Sequence, residues 1–221
     1  MMQFTMFTVA SEAYQDVAEL CVPSWRQNSG ASSVTVSAYK DATTGDQNTR
    51  WREAITTRAD LWLGAIRQAV DAKTPVVLMD VDCLVRRSIA GGFDGEHPIA
   101  AVRWPNPQLS VVFLDTRLQW PFVDFFEDFT ARIKSIPERQ WRLDTDQLIM
   151  QEKLLGCEAA VNKLSPAGWG LTFCKGNGPE RLAAYPDARV IHLHWSIFRE
   201  CATPDTVRRQ LTPLIPEAFC R

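Results

Sequence analysis

Short apolar runs along this chain alternate with longer segments in which apolar residues recur every three or four positions. Residues 3–10 (QFTMFTVA) are rich in β-formers and run into Ser11-Glu12, so a strand is predicted to give way to a helix start across Ser11 to Tyr14. Beyond Tyr14, Val17, Ala18, Leu20, Cys21 and Trp25 keep helical spacing, with Pro23 predicting a break or an early stop. Residues 32–40 (SSVTVSAYK) alternate as a second strand, and a polar loop at 41–49 follows. From Trp51 to Val70, a helix would line up Ile55, Leu61, Trp62, Ala65, Ile66 and Val70 on one face. After Pro75, residues 76–79 (VVLM) form the continuous apolar run of a buried parallel strand. Further strands are expected at 98–104 and 109–115, an amphipathic helix at 120–133 with Pro121 in its first turn, and a helix at 145–155. A long irregular, glycine-containing stretch then leads to a last strand at 188–195. This alternation predicts a layered α/β domain with a mainly parallel sheet. No repeat or linker divides the chain, so residues 1–221 are expected to form one domain, with 196–221 a tail packing back on it.

Composition narrows the classes. The 221 residues are 46% hydrophobic and 23% charged, which supports a sizeable core and excludes disordered or collagen-like chains. With 24 basic and 26 acidic residues the net charge is −2, giving no general attraction to a polyanion or an acidic membrane. The six cysteines contain no pair at the spacing of zinc knuckles or redox motifs. The N-terminus lacks a basic, apolar leader pattern, and no run approaches the roughly 20 apolar residues of a membrane span. The expectation is a soluble, cytoplasmic protein with reduced thiols.

Three segments carry candidate chemistry. Asp80-Val81-Asp82 ends the buried strand at 76–79, and ligands of open α/β sheets gather at the carboxyl ends of strands. Two carboxylates one residue apart can share a hard cation such as Mg²⁺ or Mn²⁺, although aspartate is also common in a bare turn. In VIHLHW, His192 and His194 would share one strand face, where an imidazole could complete a carboxylate site or simply satisfy backbone groups. In LDTDQLIMQ, Asp144 and Gln147 fit a looser capping box, which leaves Asp146 unexplained.

Taken in order, these segments resemble the GT-A nucleotide-sugar glycosyltransferases, particularly their glycogenin-like and bacterial galactosyltransferase branch. The resemblance spans about residues 4–195 and rests on Ala10-Ser11-Glu12-Ala13-Tyr14, Asp80-Val81-Asp82, Asp146-Gln147 and His192. It implies a central, mostly parallel mixed sheet flanked by helices and transfer of a sugar, leaning to retention, from a nucleotide-diphosphate donor such as a UDP-sugar. It further implies Mn²⁺ or Mg²⁺ held by Asp80, Asp82 and His192, with His194 in reserve, and Asp146 and Gln147 beside the reacting sugar. Ala10, Ser11, Tyr14 and Val81 would meet the nucleotide. Arg58 is a phosphate candidate, although a solvated helix face would also explain it. The stretch Gln108-Leu109-Ser110-Val111 lacks the glycine usual in that family, and Arg199 stands in for its late lysine. The acceptor is left open among a glycan, a lipid-linked sugar, a protein and a modified nucleobase. Trp104, Trp120, Trp141, Trp169 and Trp195 are candidates for stacking on a sugar, or for core packing. Asp115, Asp144 and Asp146 are the carboxylates an inverting enzyme would call on as base.

Two other readings compete. A haloacid-dehalogenase-like phosphatase also places D-x-D after an apolar strand, but near its N-terminus. A catalytically inactive sugar-nucleotide-binding module is the non-enzyme alternative. A nucleotidyltransferase is disfavoured, because residues 1–29 contain no glycine for a phosphate loop.

Overall fold

A computed structural model describes residues 2–41, 47–102, 108–137, 140–142, 144–174, 177–194 and 204–219. Six strands make the main sheet: β1 (Thr5–Ser11), β2 (Ser33–Tyr39), β3 (Val76–Met79), β5 (Ile99–Val102), β6 (Gln108–Leu114) and β7 (Val161–Leu164). Their order is β2-β1-β3-β6-β5-β7, and only β6 runs against the others. A smaller sheet of β4 (Cys83–Val85), β9 (Val190–Leu193) and β8 (Leu171–Phe173) has β9 at its centre. The helices are α1 (Gln15–Asn28), α2 (Gln47–Asp71), α3 (Phe122–Ser135), α4 (Thr145–Leu155), α5 (Pro166–Trp169), α6 (Gly178–Ala184) and α7 (Pro204–Leu211). The expected mixed, mostly parallel sheet flanked by helices is present.

The period-2 alternation of strand side chains divides the core in two. Phe7 and Val9 of β1, Val76 and Leu78 of β3, and Ile99 and Ala101 of β5 face one side. There they meet Ile55, Ala59, Trp62 and Ile66 of α2 and Phe122, Phe126 and Phe129 of α3. Met6 and Ala10, Val77 and Met79, and Ala100 and Val102 face the other side, against α1 and the small sheet. The C-terminal residues Val207, Leu211, Ile215 and Ala218 are buried in this second layer. All four residues of β3 are buried, as its unbroken apolar run predicted.

Several local expectations need correction. Helix α1 continues through Pro23 to Asn28. The carbonyl that loses its donor there belongs to exposed Glu19, where water can serve it. The far half of α1 is meanwhile tied to β4: the Trp25 indole donates to the Cys83 carbonyl (2.6 Å), and Asn28 donates to the Val85 carbonyl (2.8 Å). The stretch expected to be irregular holds β7, α5, β8 and α6, which are too short to show a period. The last strand ends at Leu193, before His194. No capping box forms on α4, because Asp144 makes no side-chain cap hydrogen bond; Thr145 Oγ1 instead accepts from the Arg142 amide (2.8 Å).

Candidate functional site

The carboxyl ends of β1, β2 and β3 open into a cleft of about 570 Å³, closed on one side by the first turns of α2. Its lining includes Ser11, Tyr14, Tyr39, Trp51, Arg58 and Asp80. A cleft at the carboxyl ends of parallel strands is the usual ligand position in such sheets.

Asp80-Val81-Asp82 forms its floor. The Asp80 amide donates to the Ser110 carbonyl on β6 (2.8 Å), and the Cys83 amide donates back to the Asp80 carbonyl (3.2 Å), closing a four-residue turn. The turn carries the chain from the main sheet into β4. Strand β4 then pairs antiparallel with β9 in a register that sets Cys83 opposite His192, and the Leu193 amide donates to the Asp82 carbonyl (2.9 Å). Residues 110 positions apart in sequence are thereby brought together. One ligand atom each from Asp80, Asp82 and His192 lies within 4.8 Å of the others. His194 is not in this group; it lies beyond β9, its amide donating to the Phe173 carbonyl (3.0 Å).

The electrostatics follow from crowding. Burial lifts Asp80, Arg58 opposes, and Asp82 adds to the rise, leaving its carboxyl raised to about 6. Burial pulls the His192 imidazole down, but the Asp82 and Asp80 carboxylates outweigh it and hold it above its usual 6.5. Burial, reinforced by Asp82, Asp80 and Asp41, pushes the Tyr14 phenol up, so it stays protonated. Asp82 Oδ1 is buried, with His192 Nε2 3.4 Å away as its ion-pair neighbour and no closer donor. A buried carboxylate oxygen without a donor is costly, and two carboxylates with one imidazole form an O,O,N set suited to Mn²⁺ or Mg²⁺. The residues present therefore fit a divalent cation.

Arg58 is not on a solvated face. Its side chain is 19% exposed, with one nitrogen donating to Asp80 Oδ1 (3.0 Å) and another to the Asp146 carboxylate, and its guanidinium lies 4.7 Å from the centroid of the Trp62 ring. Asp146 is buried in the first turn of α4 and Gln147 is exposed beside it. Ser11 ends β1 in the cleft wall, Ala10 is 1% exposed and can offer only its backbone, and Val81 lies in the floor. Arg199, Trp104 and Trp195 fall outside the described residues. Trp120 and Trp141 pack against the core beside α2, α3 and α4, and Trp169 stacks edge-on against Phe113, so these three indoles are held by packing. Asp115 is remote: it sits where β6 passes the start of β3, the end opposite Asp80, and is engaged by Arg117. That removes it as a base. Tyr39 and Trp51 were missed as lining residues; the position of Tyr39 at the end of β2 was the signal for it, and Trp51 had none.

No family model and no curated protein sequence matches the chain. Solved structures do. A glycosyltransferase involved in the glycosylation of the major capsid of PBCV-1 aligns at 10% identity and TM-score 0.62, covering 96% of this chain and 99% of that one. The apo WbbM bifunctional glycosyltransferase aligns at 12% and 0.54, over 86% of this chain and 45% of that one. Apo mouse xyloside xylosyltransferase 1 aligns at 9% and 0.51, over 86% and 97%. At such identities the likeness is one of fold, and the fold of this chain is that of GT-A-like glycosyltransferases.

Proposed function

We propose that this protein is a glycosyltransferase that moves a sugar from a nucleotide-diphosphate donor, a UDP-sugar in the first instance, to an acceptor hydroxyl. The observation that carries the reading is the convergence of Asp80, Asp82 and His192 on the floor of the cleft, with Asp82 Oδ1 buried and no donor nearer than His192 Nε2 at 3.4 Å. These three side chains would hold Mn²⁺ or Mg²⁺. When bound, the cation supplies Lewis-acid stabilisation of the negative charge on the departing diphosphate. Tyr14, 39% exposed at the rim, stacks on the base, while Ala10, Ser11 and Val81 offer backbone contacts. Arg58 presents its guanidinium to the phosphates, and Arg199, outside the described residues, is the second phosphate contact that the resemblance implies. Asp146 positions the donor sugar and Gln147 lies by the anomeric carbon, in keeping with retention; Asp144, exposed before α4, is the alternative base for inversion. The acceptor hydroxyl belongs to a glycan, a lipid-linked sugar, a protein or a modified nucleobase. On this reading residues 1–221 act as one domain in the cytoplasm; Cys21, Cys83, Cys157 and Cys174 are free thiols, and among the described residues no helix is long and apolar enough to cross a membrane.

The test is a thermal-shift panel of nucleotide sugars with and without Mn²⁺. Donor at about 100 times its Kd should stabilise the protein by roughly 2.7 kcal/mol. Asp80→Ala should lose the metal-dependent part. If no donor shifts the melting point and Asp80→Ala matches wild type, the reading is wrong; NMR of the product's anomeric centre decides between retention and inversion.

A further inference from the structure

Arg58 stands against two carboxylates that the proposed function uses differently. Asp80 belongs to the group that could hold a cation, and Asp146 sits in the first turn of α4. The guanidinium bridges them, one nitrogen on each. Three carboxylates, Asp80, Asp82 and Asp146, thus crowd around one arginine, and Asp82 Oδ1 has no hydrogen-bond donor. Trp62, 1% exposed, lies beneath the guanidinium and fixes where it can go. The arrangement is a positive charge held at the edge of the cation site by one of the residues that would ligate the cation.

We infer that Arg58 is the resident counter-cation of the metal-free site, displaced from Asp80 when a divalent cation binds and kept near by Asp146 and Trp62. The inference rests on the metal-dependent reading above and assigns this residue a role in setting metal affinity. Two positive charges compete for the Asp80 carboxylate: a divalent ion repels the guanidinium, and the guanidinium raises the cost of admitting the ion. Once released from Asp80, the freed Arg58 nitrogen is a donor aimed into the cleft, where a diphosphate can accept it. Anionic donor and cation then support each other's binding, because each removes what opposes the other, and such coupling is reciprocal. A purely supportive arginine, one that only orients Asp80 for the metal, predicts the opposite sign: loss of such an outer partner weakens metal binding by about 10–100-fold.

The sign is read by titrating Mn²⁺ into the donor-free chain of residues 1–221, with calorimetry and the free-Mn²⁺ electron paramagnetic resonance signal. Arg58→Gln should bind Mn²⁺ more tightly than wild type, by about ten-fold. At saturating Mn²⁺ it should bind UDP more weakly, also by about ten-fold. It should melt lower without metal, because three carboxylates lose their cation. Arg58→Lys keeps the charge but cannot fork to both carboxylates, so its Mn²⁺ affinity should lie between the two; it gives the sign alone if the glutamine variant does not fold. Equal or weaker Mn²⁺ binding by the variant, with wild type binding normally, overturns this role and leaves the metal site standing. If neither wild type nor Arg58→Gln binds Mn²⁺, the metal reading itself fails and takes the inference with it.

Discussion

Asp82 illustrates how a single side chain can be poorly placed for stability and well placed for chemistry. Its Oδ1 is buried without a donor, in a neighbourhood already holding Asp80 and Asp146. Replacing it by asparagine keeps the shape and removes a charge, so at alkaline pH, where His192 no longer carries the proton that Asp82 favours, Asp82→Asn should raise the melting point of the metal-free protein, by about 1 kcal/mol in stability, while abolishing the Mn²⁺-dependent shift. Differential scanning calorimetry with and without Mn²⁺ checks both halves, and a variant that melts lower without metal would contradict the argument. The same crowding sets a pH dependence. Asp80, raised from 3.8 to about 6, keeps a proton in the folded chain that the unfolded chain has released. Its contribution to metal-free stability is therefore full below about 3.8 and lost as pH rises to about 6. His192, also raised, adds stability that is full below 6.5 and lost as pH passes its higher folded value. Metal ligation requires both groups deprotonated, so the Mn²⁺-induced stabilisation should grow from pH 5 to pH 8 as metal-free stability declines. Melting curves across that range, with and without Mn²⁺, should diverge; parallel curves would dissociate the cation from these residues.

Among the elements, those with a long period or a strong local signal were legible in the sequence. The buried run at β3 and the helices at α2, α3 and α4 were each foreseen within a few residues, because their apolar spacing repeats. Strands β4, β7 and β8 were not, since three or four residues carry no period and their pairing partners lie far away in the chain. The site divides along the same line. Asp80 and Asp82 announce themselves at a strand end, whereas the choice of His192 over His194 depends on β9 stopping at Leu193 and on its register with Cys83. The Arg58 bridge was hidden, because nothing local to α2 says which carboxylates its arginine will meet. Packing hides in the same way at Gly92. A Cβ there would lie 2.4 Å from the Phe113 ring, which is itself wedged between Phe93 and Trp169 (ring centroids 5.2 and 5.5 Å apart). Gly92→Ala should therefore cost ~1–3 kcal/mol through forced repacking, seen as a lower urea midpoint at unchanged slope. An unchanged midpoint would mean the ring row yields freely.

Across the whole molecule, the two sheets are joined through the D-x-D turn, and the C-terminal segment braces the smaller one from outside. The near-neutral charge of the chain, −2 over 221 residues, conceals a local excess of carboxylates at the cleft and a local arginine at the brace. Arg86, just past β4, is 9% exposed in its side chain and pairs with Glu217, while its Nη1 is buried with no partner of its own. Asn28 ties the same place together, donating to the Val85 carbonyl on one side and to the Glu217 carbonyl (2.9 Å) on the other. Glu217→Ala would leave a mostly buried guanidinium without its counter-ion. Because Glu217 is itself 35% exposed, the loss is a partly screened one, ~1–2 kcal/mol rather than the ~3–5 kcal/mol of a fully buried pair. For a chain this size each kcal/mol lowers Tm by about 2–4 °C. The cation site should be spared, because the β4–β9 ladder that sets His192 opposite Cys83 does not depend on the ion pair. The expected outcome is a lower Tm with a Mn²⁺ Kd within about two-fold of wild type, the additive behaviour of separated sites. An unchanged Tm would show that the brace contributes nothing, and a large loss of Mn²⁺ affinity would show that the C-terminal segment holds the metal ligands as well as the fold.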